Sequence, residues 1–385
     1  MKKFLAVFML VVFGFCSFLL TGCGNKGNEI VIGVSGPLTG GAAVYGKAVV
    51  NSAKLAVDEI NEAGGVNGYK LRLEALDDMH DASKVSTNYA SLLEKGMQVG
   101  LGCVTTKPCL EFAKLSKEDG VFFLAPSATG DAVVKEANAY QMCFADTRQG
   151  TFSARYVNEN VSKDTKIGIL YRSGDEYSVG IYEKFVAELD KGFTTAVASF
   201  NEDAPADLSS QVELLKDCKF IFMPIYYTPA SIFMTQAVGK VANDAVYFGC
   251  DGLDGIDTSI EGFDINTIPQ EVSYLSHFNS KATSGAAKTF IDKYVAKYGA
   301  DTLNQFGASA YDCVYALAAA LKKIAEKNPD AVTPSAKPAD LCKLLQAEFN
   351  GDFTFSGVTG TNVKWTSEGF VDKQAVKYIV KEKNK

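Results

Sequence analysis

The feature that most limits what this chain can fold into is a regular alternation of short apolar strands with amphipathic helices. Glu29–Val34 reads as a strand, Gly36-Pro37 and Gly40-Gly41 as a loop, and the residues from about Ala43 as a helix. In that helix Val49, Ala53, Ala56, Val57 and Ile60 recur at three- and four-residue spacing, the mark of one buried face. Gly64-Gly65 stop it and Asn67-Gly68 turn the chain. Strand Leu71–Leu76, helix Ser83–Glu94 capped by Asp81, strand Gln98–Leu101, helix Pro108–Lys117 and strands Val121–Leu124 and Tyr140–Phe144 follow. A second series runs from a helix at Gln149–Asn160 through strand Lys166–Tyr171, helix Tyr177–Asp190, strand Thr194–Phe200 and helix Leu208–Leu215. It continues with strand Lys219–Pro224, helix Ala230–Val241 and strand Ala245–Phe248. Alternation of this kind implies parallel sheets with right-handed crossovers and helices on both faces.

Two such series in 385 residues agree with the limit of ~250–300 residues at which a single core stops growing. The predicted class is therefore α/β with two doubly wound lobes. The tail departs from strict alternation. It reads as helices Ala286–Tyr298, Ala308–Lys327 and Pro338–Phe349, a loop over Asn328–Lys337, and short strands near Phe353–Phe355, Asn362–Trp365 and Ala375–Val380.

The first residues read as an address. Lys2-Lys3 precede an uncharged apolar run from Phe4 to Leu20, ahead of Leu20-Thr21-Gly22-Cys23. At about 17 residues the run lies at the bottom of the membrane-spanning range. The basic start and the small residues before the cleavage point make a secretory signal. The Leu-Thr-Gly-Cys ending resembles the lipobox of bacterial lipoproteins, which implies removal of residues 1–22 and acyl chains on Cys23. Gly24 to Asn28 would then be a short polar tether of at most ~17 Å within the segment 23–28, holding the body close to the membrane. Without the signal the balance is 36 basic against 45 acidic residues, or −9, where the whole chain has −7. That sign excludes a nucleic-acid partner, which calls for a basic footprint.

Residue chemistry narrows the field further. Past Cys16 and Cys23 stand Cys103, Cys109, Cys143, Cys218, Cys250, Cys313 and Cys342, an odd set with no C-x-x-C pair. The two histidines, His80 and His277, are far apart, so no metal site is expected. Gly33-Val34-Ser35-Gly36 sits where phosphate loops occur but lacks G-x-G-x-x-G and a Walker lysine. No G-x-S-x-G elbow and no Ser/His or Cys/His grouping stands out, so the chain is expected not to be an enzyme and to need no cofactor. Asp77-Asp78 reads as a solvated turn at a strand end.

Loops after strands carry the binding chemistry. Val104-Thr105-Thr106-Lys107-Pro108 places hydroxyls at a helix start, where free N–H groups favour an anion. Ala125-Pro126-Ser127-Ala128-Thr129-Gly130 repeats the arrangement after the next strand. Both lie at carboxyl ends of parallel strands, where open α/β sheets bind ligands. The second series offers Ile225-Tyr226-Tyr227-Thr228 and Gly249-Cys250-Asp251-Gly252. Hydroxyls facing a carboxylate would specify a zwitterion.

Longer stretches carry a resemblance: Ile32 to Gly40, Tyr45-Gly46, the helix end Asp58 to Gly68, Asp77-Asp78 and Ala125 to Thr129. On these, residues 29–380 resemble the branched-chain amino-acid (Leu/Ile/Val-binding-like) type of substrate-binding lipoprotein of ABC importers. The resemblance implies a two-lobed type I periplasmic-binding, or Venus-flytrap, fold with three hinge crossings. Lobe I would take 29–146 plus 279–351 and lobe II 147–278 plus 352–385. It further implies that Thr106 and Thr129 bind the ligand carboxylate, and that Ser127 and Thr129 also meet its ammonium. Asp251 would hold the ammonium, Tyr226 would close from the second lobe, and Tyr45, Val104 and Tyr177 would line the side-chain pocket. Where His80 stands, similar proteins often have a cysteine bridged to the threonine loop, and that loop here is not serine-rich.

The implied partners are a small zwitterionic amino acid, permease subunits and, through the lipid, the membrane, with the chain a monomer on the extracytoplasmic face. A ligand-sensing module for amides, short-chain acids or another small polar metabolite would use the same cleft and is the competing expectation.

Overall fold

A computed structural model describes residues 27–202, 205–257 and 262–383; the signal segment and Cys23 lie outside the described residues. Two sheets organise the chain. The first has strands β1 (Glu29–Gly36), β2 (Lys70–Asp77), β3 (Met97–Cys103), β4 (Phe123–Ala125) and β5 (Ala139–Gln141), in the order β2-β1-β3-β4-β5. Its strand pairs are all parallel. The second contains β6 (Ile167–Arg172), β7 (Thr195–Phe200), β8 (Phe220–Met223), β9 (Val246–Gly249), β10 (Glu271–Ser276) and β11 (Val376–Lys381), in the order β11-β10-β9-β8-β6-β7. Only β11 is antiparallel, on the sheet edge. Helices cover both faces, so the central strands are buried throughout; β3 shows no exposed residue.

The helices in chain order are α1 (Ala43–Glu62), α2 (Val85–Glu94), α3 (Thr106–Asp119), α4 (Asp146–Asn160) and α5 (Glu176–Glu188). After them come α6 (Ser209–Leu215), α7 (Tyr227–Ala237), α8 (Gly285–Tyr298), α9 (Gln305–Lys327) and α10 (Pro338–Phe349). The α1 stripe read from spacing is buried as expected, and α9 packs against it. Gly65, at φ +74, ends that helix where a β-carbon would sit 2.0 Å from the Tyr69 carbonyl oxygen; only glycine fits.

Three stretches carry the chain between the sheets. The first leads from β5 into α4. The second follows β10, after which Phe278 joins Leu55 of α1, Phe290 and Tyr294 in one cluster. The third leads into β11. The expected lobe boundary at 351/352 falls within this third stretch. Phe353 to Val371 stays on the first sheet, because the Trp365 indole donates to the Gln141 carbonyl at 2.7 Å, stacks on Phe353 and meets Phe349 at a tilt. The Gln141 N–H in turn donates to the Gly369 carbonyl at 3.0 Å.

Other expectations shift. β10 carries no alternation strong enough to stand out from its flanks, yet it is a full strand. Phe355 with Val363 and Trp365 with Val371 form single bridges rather than strands. Helix α9 starts at Gln305, because the Asn304 side chain accepts from the Phe306 and Gly307 N–H groups. The seven described cysteines are buried free thiols. Asp77-Asp78 is not a solvated turn. Asp78 is fully buried and accepts from the Ser35 hydroxyl at 3.0 Å, and burial pushes its carboxyl up to about 6.

Candidate functional site

The first wall of the cleft comes from two strand-to-helix loops of the first sheet. Thr105 is the extended N-cap of α3, so the first N–H groups of that helix point into the space beyond β3. The Thr106 hydroxyl oxygen accepts from the Gly130 N–H at 3.2 Å, which leaves its own hydrogen to donate. Ser127 donates to the Val104 carbonyl at 2.7 Å and therefore meets a ligand as an acceptor. Gln141 ties down the carbonyls of Ala128 and Gly130 at 2.7 and 3.1 Å. The loops are thereby fixed before any ligand arrives.

The second wall comes from β6, β8 and β9 through the loops that follow them. Tyr177, in the first turn of α5, donates to Asp251 Oδ1 at 2.8 Å and accepts from the Gly252 N–H at 2.9 Å. Its ring stacks on Tyr226 with centroids 4.8 Å apart. Gln149 accepts from the Asp251 N–H at 3.0 Å. Asp251 Oδ2 is buried with no hydrogen-bond partner, and burial pushes this carboxyl up to about 7. An oxygen in that state is served by a donor or a cation.

All eight positions nominated from the sequence line one cavity: Tyr45, Val104, Thr106, Ser127 and Thr129 from the first side, Tyr177, Tyr226 and Asp251 from the second. Thr105, Gly252 and Phe306 complete its lining. About 240 Å³ of atom-free space lies between them, and a water molecule's centre reaches about 10 Å³ of it. That is room for roughly one water. The lobes are closed: Tyr45 donates its hydroxyl to the Gly252 carbonyl across the cleft, and Thr228 donates to the Gly41 carbonyl at 2.8 Å.

Three contributors were not nominated from the sequence. Phe306 stands at the start of α9, far from any strand end, with its ring 4.8 Å from that of Tyr45. Gln149, which bonds the Asp251 N–H, lies on the first turn of α4, at a crossing. His80 hydrogen-bonds Thr105 Oγ1 at 2.8 Å and sets its ring edge-on to Tyr226. The tether that a disulfide would supply is thus made here by an imidazole. Among the described residues no group of three or more His, Cys, Asp or Glu stands in metal-binding array.

A cleft with a hydroxyl-lined anion side and a buried carboxylate opposite, reached from two sheets, fits a binding protein. The periplasmic binding protein family profile matches residues 29–376. The chain belongs to the periplasmic binding protein family. It is an extracytoplasmic-type binding protein and not an enzyme. Among curated relatives, the Leu/Ile/Val-binding protein BraC3 of Rhizobium johnstonii is 28% identical over 337 residues, covering 85% of this chain and 89% of that one. The leucine-, isoleucine-, valine-, threonine- and alanine-binding protein of Pseudomonas aeruginosa is 24% identical over 335 residues, 84% of each chain. Among solved structures, LivJ of Streptococcus pneumoniae with isoleucine superposes with a TM-score of 0.78 at 25% identity, covering 92% of this chain and 99% of that chain. A 3,4-dihydroxybenzoate-bound solute-binding protein of Rhodopseudomonas palustris reaches 0.77 at 17% identity, over 92% of this chain and 94% of that one, a likeness of fold alone.

Proposed function

We propose that this periplasmic binding protein captures a small zwitterionic amino acid, branched-chain or related, between its lobes and delivers it to the permease of an ABC importer. The observation that carries the proposal is the convergence of Thr106, Ser127, Thr129 and Asp251 on one closed cavity. The ligand carboxylate lies at the α3 N-terminus against Thr106 and Thr129, with the helix dipole behind it. Its ammonium meets Asp251 Oδ2, with Ser127 and Thr129 as further acceptors. Tyr45, Val104, Tyr177 and Tyr226 enclose the side chain. Lobes of about 29–145 plus 277–371 and 146–276 plus 372–385 move about the three crossings. Ligand contacts made by both lobes exist only in the closed form, so binding shifts the population toward it. The names of the relatives support the ligand class, and the LivJ likeness supports the transporter role.

The test is calorimetry and thermal shift on ligand-stripped protein against the common amino acids, their amides, short-chain acids and aromatic acids. At one hundred times its dissociation constant a true ligand adds about 2.7 kcal/mol of stability. The proposal fails when an acid without an ammonium raises the melt and no amino acid does. We propose in addition that the mature chain begins at lipidated Cys23 as a monomer at the membrane. Mass spectrometry of membrane-extracted protein should give the mass of residues 23–385 plus acyl chains, and Cys23→Ser should release the protein from the membrane.

A further inference from the structure

Asp146, at the start of α4, has a carboxylate that the proposal above leaves unused. It is 2% exposed. Its Oδ1 accepts from Gln149 Nε2 at 3.3 Å, and Oδ2 has no hydrogen-bond partner, although the Thr129 hydroxyl is near enough to favour the charged form. Burial, and after it the neighbouring Asp251, keeps its proton on well above the usual carboxyl range; Asp131 and Asp175 act in the same sense. Oδ2 faces α5, lying 4.0 Å from the place a β-carbon on Gly180 would take.

Asp146 and Gly180 both belong to the wall of a second, outer cavity, in which a water molecule's centre reaches about 490 Å³. Thr106 lines both spaces. Asp131, Glu176 and Glu183 stand around the outer cavity with one cation, Lys184, which is engaged by Glu188 at 2.6 Å. A further cation, Lys107, reaches Glu176 at 3.9 Å. A recess lined by more acidic than basic groups attracts positive charge. The ammonium of a simple amino acid satisfies Asp251 and leaves Asp146 Oδ2 without a partner beside the outer cavity. A second positive group brought to that oxygen would favour the ionised form of the carboxyl and pair with it.

We propose that the ligand of this cleft is an amino acid carrying a second cation, a diamino acid whose side-chain ammonium passes Thr106 and is received by Asp146 at the floor of the outer cavity. The proposal rests on the amino-acid reading of the cleft.

Calorimetry on ligand-stripped wild-type protein with 2,4-diaminobutyrate, ornithine and lysine, each against the neutral chain of similar shape (2-aminobutyrate, norvaline, norleucine, leucine), tests it without any variant. At least one diamino acid should bind roughly tenfold to a hundredfold more tightly than its neutral counterpart, the range for one hydrogen bond to a charged group. Asp146→Asn, checked for an intact melt, should erase that ratio while leaving the affinity for the neutral acids within about threefold, the order of one neutral hydrogen bond. Neutral acids binding as tightly as their diamino partners in the wild type would overturn the inference and leave the amino-acid reading standing. A diamino preference that survives in a folded Asp146→Asn protein overturns the role of Asp146. Failure of every amino acid, charged and neutral, removes the underlying reading and this inference with it.

Discussion

The first-lobe wall of the cleft presents Thr105, Thr106, Ser127 and Thr129 and no charge, whereas the second-lobe wall presents Tyr177, Tyr226 and the buried Asp251. The first wall is satisfied within itself: Ser127 bonds Val104, Thr106 bonds Gly130, and Gln141 holds the loop from below. The second ends in an unpaired carboxylate oxygen. One wall is a prepared cradle and the other is incomplete until a positive group arrives. A ligand with both signs of charge completes the pair, and a plain acid or sugar does not. Specificity for charge should therefore be concentrated on the second wall, with the first contributing placement.

Asp251→Asn should show the largest effect. Truncating one partner of a buried charged pair costs about 2–5 kcal/mol of affinity. Calorimetry should find amino-acid binding weakened by that amount, while the melting temperature of the ligand-free protein holds or rises because no charge need be buried. Unchanged affinity would mean the two walls share the ammonium some other way. The same residue makes a pH prediction. Its folded value of about 7 lies above the ordinary aspartate value. The native state therefore binds more protons than the unfolded state between about pH 4 and 7. Stability from this group is present below that window and lost as pH rises through 7, by at most about 4 kcal/mol. Ligand-free melts of wild type minus Asp251→Asn should fall across the window, and saturating amino acid should flatten the slope. A difference curve without slope would place the Asp251 carboxylate in water.

Much of this contrast was legible in the chain itself. Loops after strands are exposed to ligand by topology, so Thr106, Ser127, Thr129, Tyr226 and Asp251 could be found from strand ends alone. Gln149 and Phe306 could not, because they reach the cleft from helix starts away from any strand end, where neighbours are set by tertiary packing; His80, just after β2, could be placed only through the resemblance. The packing of Phe353–Val371 on the first sheet was hidden for a similar reason. Nothing local to Phe353–Val371 tells that the Trp365 indole finds Gln141 more than two hundred residues earlier. β10 lacked a pattern because its partners, β9 and β11, lie on either side of it only in the folded sheet.

Thr106→Ala probes the prepared wall. It removes a donor to the ligand carboxylate and leaves the Gly130 N–H without its acceptor. A loss of about 1–1.5 kcal/mol in affinity is expected, smaller than at Asp251 because the α3 N-terminus still offers its backbone donors. If Thr106→Ala were to cost as much as Asp251→Asn, the contrast between placement and charge recognition would collapse.

His80 lies between the walls and should show the smallest effect. Its ring bonds Thr105 on one side and meets Tyr226 edge-on on the other, and its backbone is left-handed at φ +64. Alanine there would mix loss of the ring with backbone strain, whereas asparagine tolerates the left-handed region. His80→Asn thus isolates the side chain. Losing one hydrogen bond and one ring contact should weaken amino-acid binding by about 1 kcal/mol, roughly fivefold, with a melt close to wild type. His80→Ala should lower the melt further at similar affinity. Should His80→Asn bind as wild type does, the imidazole tether contributes nothing to closure, and Thr105 is held by its place at the α3 N-cap alone.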